Sequence, residues 1–257
     1  LGEKKIAQSG KEYPSALDYM NLKDAPGVAE VYGDKPKELD VMLPVENLDT
    51  FFSQARKAYR KSGLFCRCDD GETATRVRVG KNEQGQVLDP EGEAYIKSTG
   101  EDVAQGHMFE MPCPGEECPF SQKKLCKPIG RLLFILPKVP RWGCYEISTT
   151  SFNSIVELNS YIESIRAAVG RVSMIPLKLQ LVPKQVQVDG KAKTIHHLRL
   201  VFQGSMADLA KHARKALPAP PPEALPTEED LDKNVPDDLM ANGGAKLDAE
   251  LGVKPPA

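Results

Sequence analysis

The chain has 257 residues, of which 40% are apolar and 27% charged, with 21 prolines and a formal net charge of −2. That length supports one sizeable domain or two small ones, with a core that stands without disulfide staples. No stretch approaches the roughly eighteen consecutive apolar residues of a membrane-spanning helix, so no helix that spans a membrane is expected.

Taken in chain order, residues 1–36 are polar and rich in turns. They read as an extended arm anchored by Leu17, Tyr19, Val28, Val31 and Tyr32. ELDVMLP (38–44) reads as a short strand. ENLDTFFSQARKAYRKSG (46–63) reads as an amphipathic helix, with Leu48, Phe51, Phe52, Ala55 and Tyr59 at helical spacing and Gly63 as its terminator. LFCRC (64–68) and TATRVRV (73–79) read as two strands of a hairpin around the Asp69-Asp70-Gly71 turn. Residues 80–106, rich in Gly, Glu and Asp, read as a mobile loop or loose hairpin.

Strands follow at HMFEM (107–111), IGRLLFILP (129–137) and WGCYEISTTS (142–151). SFNSIVELNSYIESIRAAVG (151–170) is the strongest helix pattern, with Ser151 or Asn153 to cap it and Gly170 to end it. PLKLQLVPKQVQV (176–188) and KTIHHLRLVFQ (193–203) alternate as hairpin strands around Val188-Asp189-Gly190-Lys191, and SMADLAKHARKAL (205–217) reads as a short helix. Residues 217–257 are proline-rich and then acidic. They carry nine acids against three lysines, net −6, which leaves +4 for the rest of the chain. Such a segment buries too little apolar surface to order itself and is expected to be a disordered tail. The organisation expected is therefore an arm (1–36), an α+β body (37–216) with an antiparallel sheet, two main helices and a cysteine knuckle (about 66–126), and the acidic tail (217–257).

The knuckle is CPGEECPFSQKKLC (113–126), whose Cys113, Cys118 and Cys126 follow C-x4-C-x7-C spacing. With no apolar secretory run at the start of the chain, cysteines read as reduced thiols or metal ligands in a cytoplasmic protein. Zinc takes four soft ligands, and the prolines supply turns that aim them. Cys66, Cys68, His107 and Cys144 are candidates for the fourth, and Cys68 is preferred because it lies nearest the hairpin turn. An iron–sulfur cluster is the alternative cofactor. Four protein ligands close the coordination sphere, so the metal expected is structural.

Lys123, Lys124, Lys127, Arg131, Lys138 and Arg141 surround the knuckle in sequence, with Trp142 beside them. A solvated face accounts for such a run, and a surface for nucleic acid or a protein partner is the sharper reading. His196 and His197 fall on opposite sides of a strand with no catalytic partner in view. Asp69-Asp70 is explained more simply as a turn than as a magnesium site. Without a phosphate loop, dinucleotide fingerprint or nucleophile elbow, no enzyme is expected.

The order RCDDG, then CPGEECP…CKPIGRLLFILPKVPRWGCYEISTTSFNSIVEL, resembles the phage recombination directionality factor-like proteins over roughly residues 38–203. The matching positions are Cys68, Asp69, Gly71, Cys113, Cys118, Cys126, Lys127, Arg131, Leu132, Leu136, Pro137, Pro140, Gly143, Tyr145 and Ser151. The resemblance implies a non-enzymatic protein of a phage or mobile element, acting in a bacterial host. It implies binding to a serine integrase on its attachment-site DNA and promotion of excision. A single-stranded DNA-binding or replication accessory protein is the competing reading, since an acidic tail on a basic body suits that class.

Overall fold

The computed structural model describes residues 2–6, 12–21, 25, 27–81, 85–188, 191–233, 247–248 and 251. The chain divides into two compact units. Unit one is built mainly from Ser15–Ser53 and Gly130–Thr227, unit two mainly from Gln54–Ile129 and the segment from Glu228 onward. The fold class is the mixed one expected, with antiparallel sheets and several helices.

The chain opens with strands β1 (Gly2–Ile6) and β2 (Glu12–Ala16), which pair with each other, and a short helix α1 (Val28–Tyr32). In unit one, β3 (Glu38–Val41) follows. Next comes a single helical turn, α2 (Leu48–Phe51), capped where the Asn47 side chain accepts from the Asp49 N–H. The helix expected over 46–63 ends there, because residues 52–60 form strand β4 (Phe52–Arg60) instead. Phe52, Ala55 and Tyr59 fit either period, and pairing with the next strand in unit two decides for the extended form.

Unit two continues through β5 (Gly63–Cys68), β6 (Thr73–Val77), helix α3 (Pro90–Thr99) and β7 (Met108–Pro112). Its strands run antiparallel in the order β7-β6-β5-β4. Helix α3 lies where a mobile loop was expected. Asp89 caps it by accepting from the Gly92 N–H, Pro90 occupies the first turn, and Gly100 at φ 74° ends it. A short turn of helix, α4 (Pro119–Gln122), leads into β8 (Cys126–Ile135).

Back in unit one, β8 pairs with β9 (Cys144–Thr149), and α5 (Phe152–Val169) follows. Strands β10 (Leu177–Val188) and β11 (Lys191–Val201) form the hairpin expected, and β3 joins the outer side of β10. The expected turn residues Asp189 and Gly190 lie outside the described residues. Helix α6 (Met206–Lys215) starts in a capping box between Ser205 and Asp208.

Helix α5 packs Ser154, Ile155, Leu158, Ile162 and Ile165 inward at three- and four-residue spacing. It also closes the open side of β11. The Leu198 N–H donates to Ser154 Oγ at 3.0 Å, and the Phe202 N–H donates to the Tyr161 hydroxyl at 2.6 Å. These contacts satisfy backbone donors that an edge strand would otherwise leave unpaired.

The acidic tail departs from the expected disorder in its described part. Glu228–Lys233 form helix α7, and Leu247 and Leu251 are buried in the core of unit two.

Candidate functional site: a cysteine-lined sheet face and its basic loop

One face of the sheet in unit two is set by register. Cys66 stands opposite Arg76 and Cys68 opposite Ala74, while Phe109 and Met111 stand opposite Arg76 and Ala74 on the other side. Alternation along each strand puts all six side chains on the same face, and all six are buried. The loop 113–126 adds Cys118, Phe120 and Leu125 to this cluster, with Cys113 and Cys126 packed against it. Three of the four expected ligands, Cys113, Cys118 and Cys126, thus meet Cys68 on one cluster. Cys66 is a fifth thiol there. Cys144 belongs to unit one, and His107 is an exposed residue of unit two.

Burial pushes the Cys66 thiol up and the Cys126 thiol to about 12. Burial, reinforced by the neighbouring Cys113, raises Cys68 to about 12 as well. Among the described residues, no group of three or more Cys, His, Asp or Glu stands close enough together to hold a metal ion.

Arg76 is the charged centre of this face, at 1% exposure. Its Nη1 contacts both oxygens of Asp89 at 3.2 Å, and its Nη2 lies 4.0 Å from the Cys118 sulfur. Its guanidinium carbon sits 5.8 Å from the Phe65 ring centre and 5.2 Å from that of Phe120, and the two rings pack edge to face. Burial alone pulls its pKa down, but Asp89, with Cys66 and Cys118, holds it above the ordinary arginine value. Among the described residues its Nε has no hydrogen-bond partner.

The Asp69-Asp70-Gly71 turn is accounted for by its own bonds. Asp70 accepts from the Glu72 and Thr73 N–H groups at 2.8 Å each, and Asp69 pairs with Arg67 at 2.7 Å. In unit one, His197 is buried against Glu157 at 2.7 Å, while His196 is half-buried.

Loop 113–126 ends its helical turn in a Schellman motif. The Leu125 N–H reaches the Phe120 carbonyl at 2.8 Å and the Lys124 N–H the Ser121 carbonyl at 2.9 Å, with Lys124 left-handed at φ 58°. Lysine thus occupies a position that favours glycine. Lys124→Gly is expected to keep the fold and raise stability by about 0.5–1 kcal/mol, read by thermal melting. That variant removes a loop charge without disturbing the loop.

An open cleft of about 440 Å³ lies beside this turn, lined in part by Arg56, Glu116, Lys124, Cys126 and Lys127. Arg56 donates to Ser121 Oγ at 2.7 Å and lies 3.5 Å from Glu116. The basic residues grouped by sequence divide between the units. Lys123, Lys124 and Lys127 are exposed on unit two, whereas Arg131, Lys138, Arg141 and Trp142 belong to unit one. Arg131 is corrected from a surface contact to a buried residue, 3.7 Å from Glu146. Lys138 pairs with Asp40 at 2.8 Å, and Trp142 is 72% exposed. Sequence reasoning missed Arg76 because alternation marks it only as an ordinary inward strand position.

No helix of the described residues is long and apolar enough to cross a membrane. No curated protein and no solved structure matches the chain. A family model, the Gp3-like recombination directionality factor-like family, matches residues 1–203, which takes in the opening arm as well as both strand-rich units up to the end of the β10–β11 hairpin. With that match covering most of its length, the chain belongs to the recombination directionality factor-like family.

Proposed function

We propose that this protein is a non-enzymatic accessory factor that binds a serine integrase on attachment-site DNA and favours excision over integration. The family match over residues 1–203 is the observation that carries this reading. Its mechanism is a population shift. The factor binds one integrase–DNA arrangement better than the other, and each tenfold difference in affinity moves their balance by about 1.4 kcal/mol. Arg56, Lys124 and Lys127 on unit two, and Arg141 with Trp142 on unit one, are the exposed or partly exposed groups suited to such contacts.

The test is a recombination assay with purified factor, a serine integrase from the same element, and attL and attR DNA. Recombination that starts only when the factor is added supports the reading. No change with any pair of sites sinks it. Tight, salt-sensitive binding to single-stranded oligonucleotides without integrase would instead assign the protein to replication or repair of phage DNA.

The same reading gives the cysteines a structural zinc ion, held by four of the five thiols Cys66, Cys68, Cys113, Cys118 and Cys126. Their gathering on one face supports it, as does Arg76, which would offset the charge of four thiolates. The sulfurs would have to draw together and lose their protons on binding. Elemental analysis of protein purified with zinc present should find about one zinc per chain, reduced sharply in Cys118→Ser. Metal-free protein from that preparation would rule zinc out, and a brown protein rich in iron and sulfide would replace it with a cluster.

A further inference from the structure

We infer that the β4–β5 hairpin of unit two is a docking site for an acidic, leucine-bearing peptide, filled here by the chain's own C-terminal segment and open to a partner with the same pattern. The inference does not depend on the integrase reading.

The hairpin places two cations side by side, and Asp69 pairs with one of them, Arg67, at 2.7 Å. Lys57 and Arg67 are direct cross-strand partners, and like charges so placed repel each other. Asp232 resolves this from α7. Its carboxylate lies 2.9 Å from Lys57 Nζ, 3.8 Å from Arg67 Nη1 and 3.1 Å from the Tyr59 hydroxyl. Asp248 makes a second anion contact farther along the hairpin. It accepts from Arg60 Nε at 2.7 Å and from the Lys61 backbone N–H at 2.9 Å. The Lys57 head is 1% exposed beneath this cover.

Leucines accompany the carboxylates. Leu247 and Leu251 lie one helical turn apart, joined by a 2.9 Å backbone bond, and both are buried with Ala58 and Phe65. A nucleic-acid backbone could replace the two carboxylates but offers nothing for the leucine positions. The peptide is therefore the occupant that fits the whole site. Attachment through ion pairs is also well suited to exchange. Buried pairs contribute little beyond what apolar packing would.

The test uses the full chain and a fluorescent peptide of residues 228–251. In the wild type the tethered segment competes at an effective concentration of ~1 mM, so the peptide binds weakly. The double variant Asp232→Asn, Asp248→Asn loosens that segment and is expected to bind the peptide about tenfold more tightly. Adding Arg60→Ala to the double variant should abolish the gain. Equal affinity in wild type and double variant overturns the inference, as does a gain for a DNA duplex with none for the peptide. A measurement on the wild type alone guards against a variant that fails to fold. Hydrogen exchange at the Lys61 and Leu251 amides should be faster than at Cys66 and Cys68, because the segment opens without the rest of unit two. Exchange at Lys61 and Leu251 as slow as at Cys66 and Cys68 overturns it too.

Discussion

Replacing Arg76 with methionine is expected to cost about 3–5 kcal/mol of stability. The reason lies in what is left behind. Asp89 is 4% exposed, and without the guanidinium it becomes a buried carboxylate whose main compensation is one N–H at the start of α3. The Phe65 and Phe120 rings lose their cation, and the thiols of Cys66 and Cys118 face an apolar chain in place of a positive charge. Glu91, 3.9 Å away, is half-exposed and is not left as a buried charge. Urea denaturation of the wild type, Arg76→Met, Asp89→Leu and the double variant separates the contributions. Recovery of most of the loss in the double variant shows that the cost was an unpaired charge, since apolar pairs often replace buried ion pairs at little expense. A double variant as unstable as Arg76→Met places the cost in the ring and thiol contacts.

Arg76 also shows why the site was only partly legible. Strands β5, β6 and β7 lie where the sequence reading places them, and their pairing sets Cys66 and Cys68 on one side. Clustering of cysteines in the sequence pointed to the loop that covers that side. The register that puts Arg76 against Cys66 is set by the hairpin turn, but the burial of Arg76 depends on Asp89 and on Cys118 of the loop, which strand pattern does not encode. The basic run failed for a related reason. Sequence neighbours around residue 130 pass from one unit into the other, so Lys127 and Arg131 have different surroundings, one exposed and one buried.

Strand β4 was misread because Phe52, Ala55 and Tyr59 satisfy two periods at once. The burial of Lys57 inside it depends on Asp232, distant in sequence, whose helix lies in a stretch too acidic to promise a fold. Helix α3 is a different kind of miss. Asp89-Pro90 is a standard helix start and Gly100 a standard stop, so both boundaries were present in the sequence. The glutamates and glycine between them outweighed that evidence in a composition-based reading.

Leu158→Ala is expected to destabilise unit one by about 2–5 kcal/mol, whereas Phe152→Ala on the same helix should change stability by no more than about 0.5 kcal/mol. Leu158 has no exposure and sits between Ile155 and Ile162 in the inward stripe of α5, so truncation leaves a cavity in a packed layer. The layer has little freedom to collapse into it. Ser154 and Tyr161 tie the helix to backbone N–H groups of β11 and of the residue just after it, which fixes its distance from the sheet. Phe152 begins the helix at 69% exposure, and Val156, one turn on, is 45% exposed, so neither contributes a filled core position. The pair of variants therefore separates folding from contact. A loss of recombination in Phe152→Ala, with an unchanged denaturation midpoint, assigns the outer face of α5 to partner binding. A matching drop in stability would instead show that this ring closes the helix start, where the Ser151 side chain caps the Ser154 N–H.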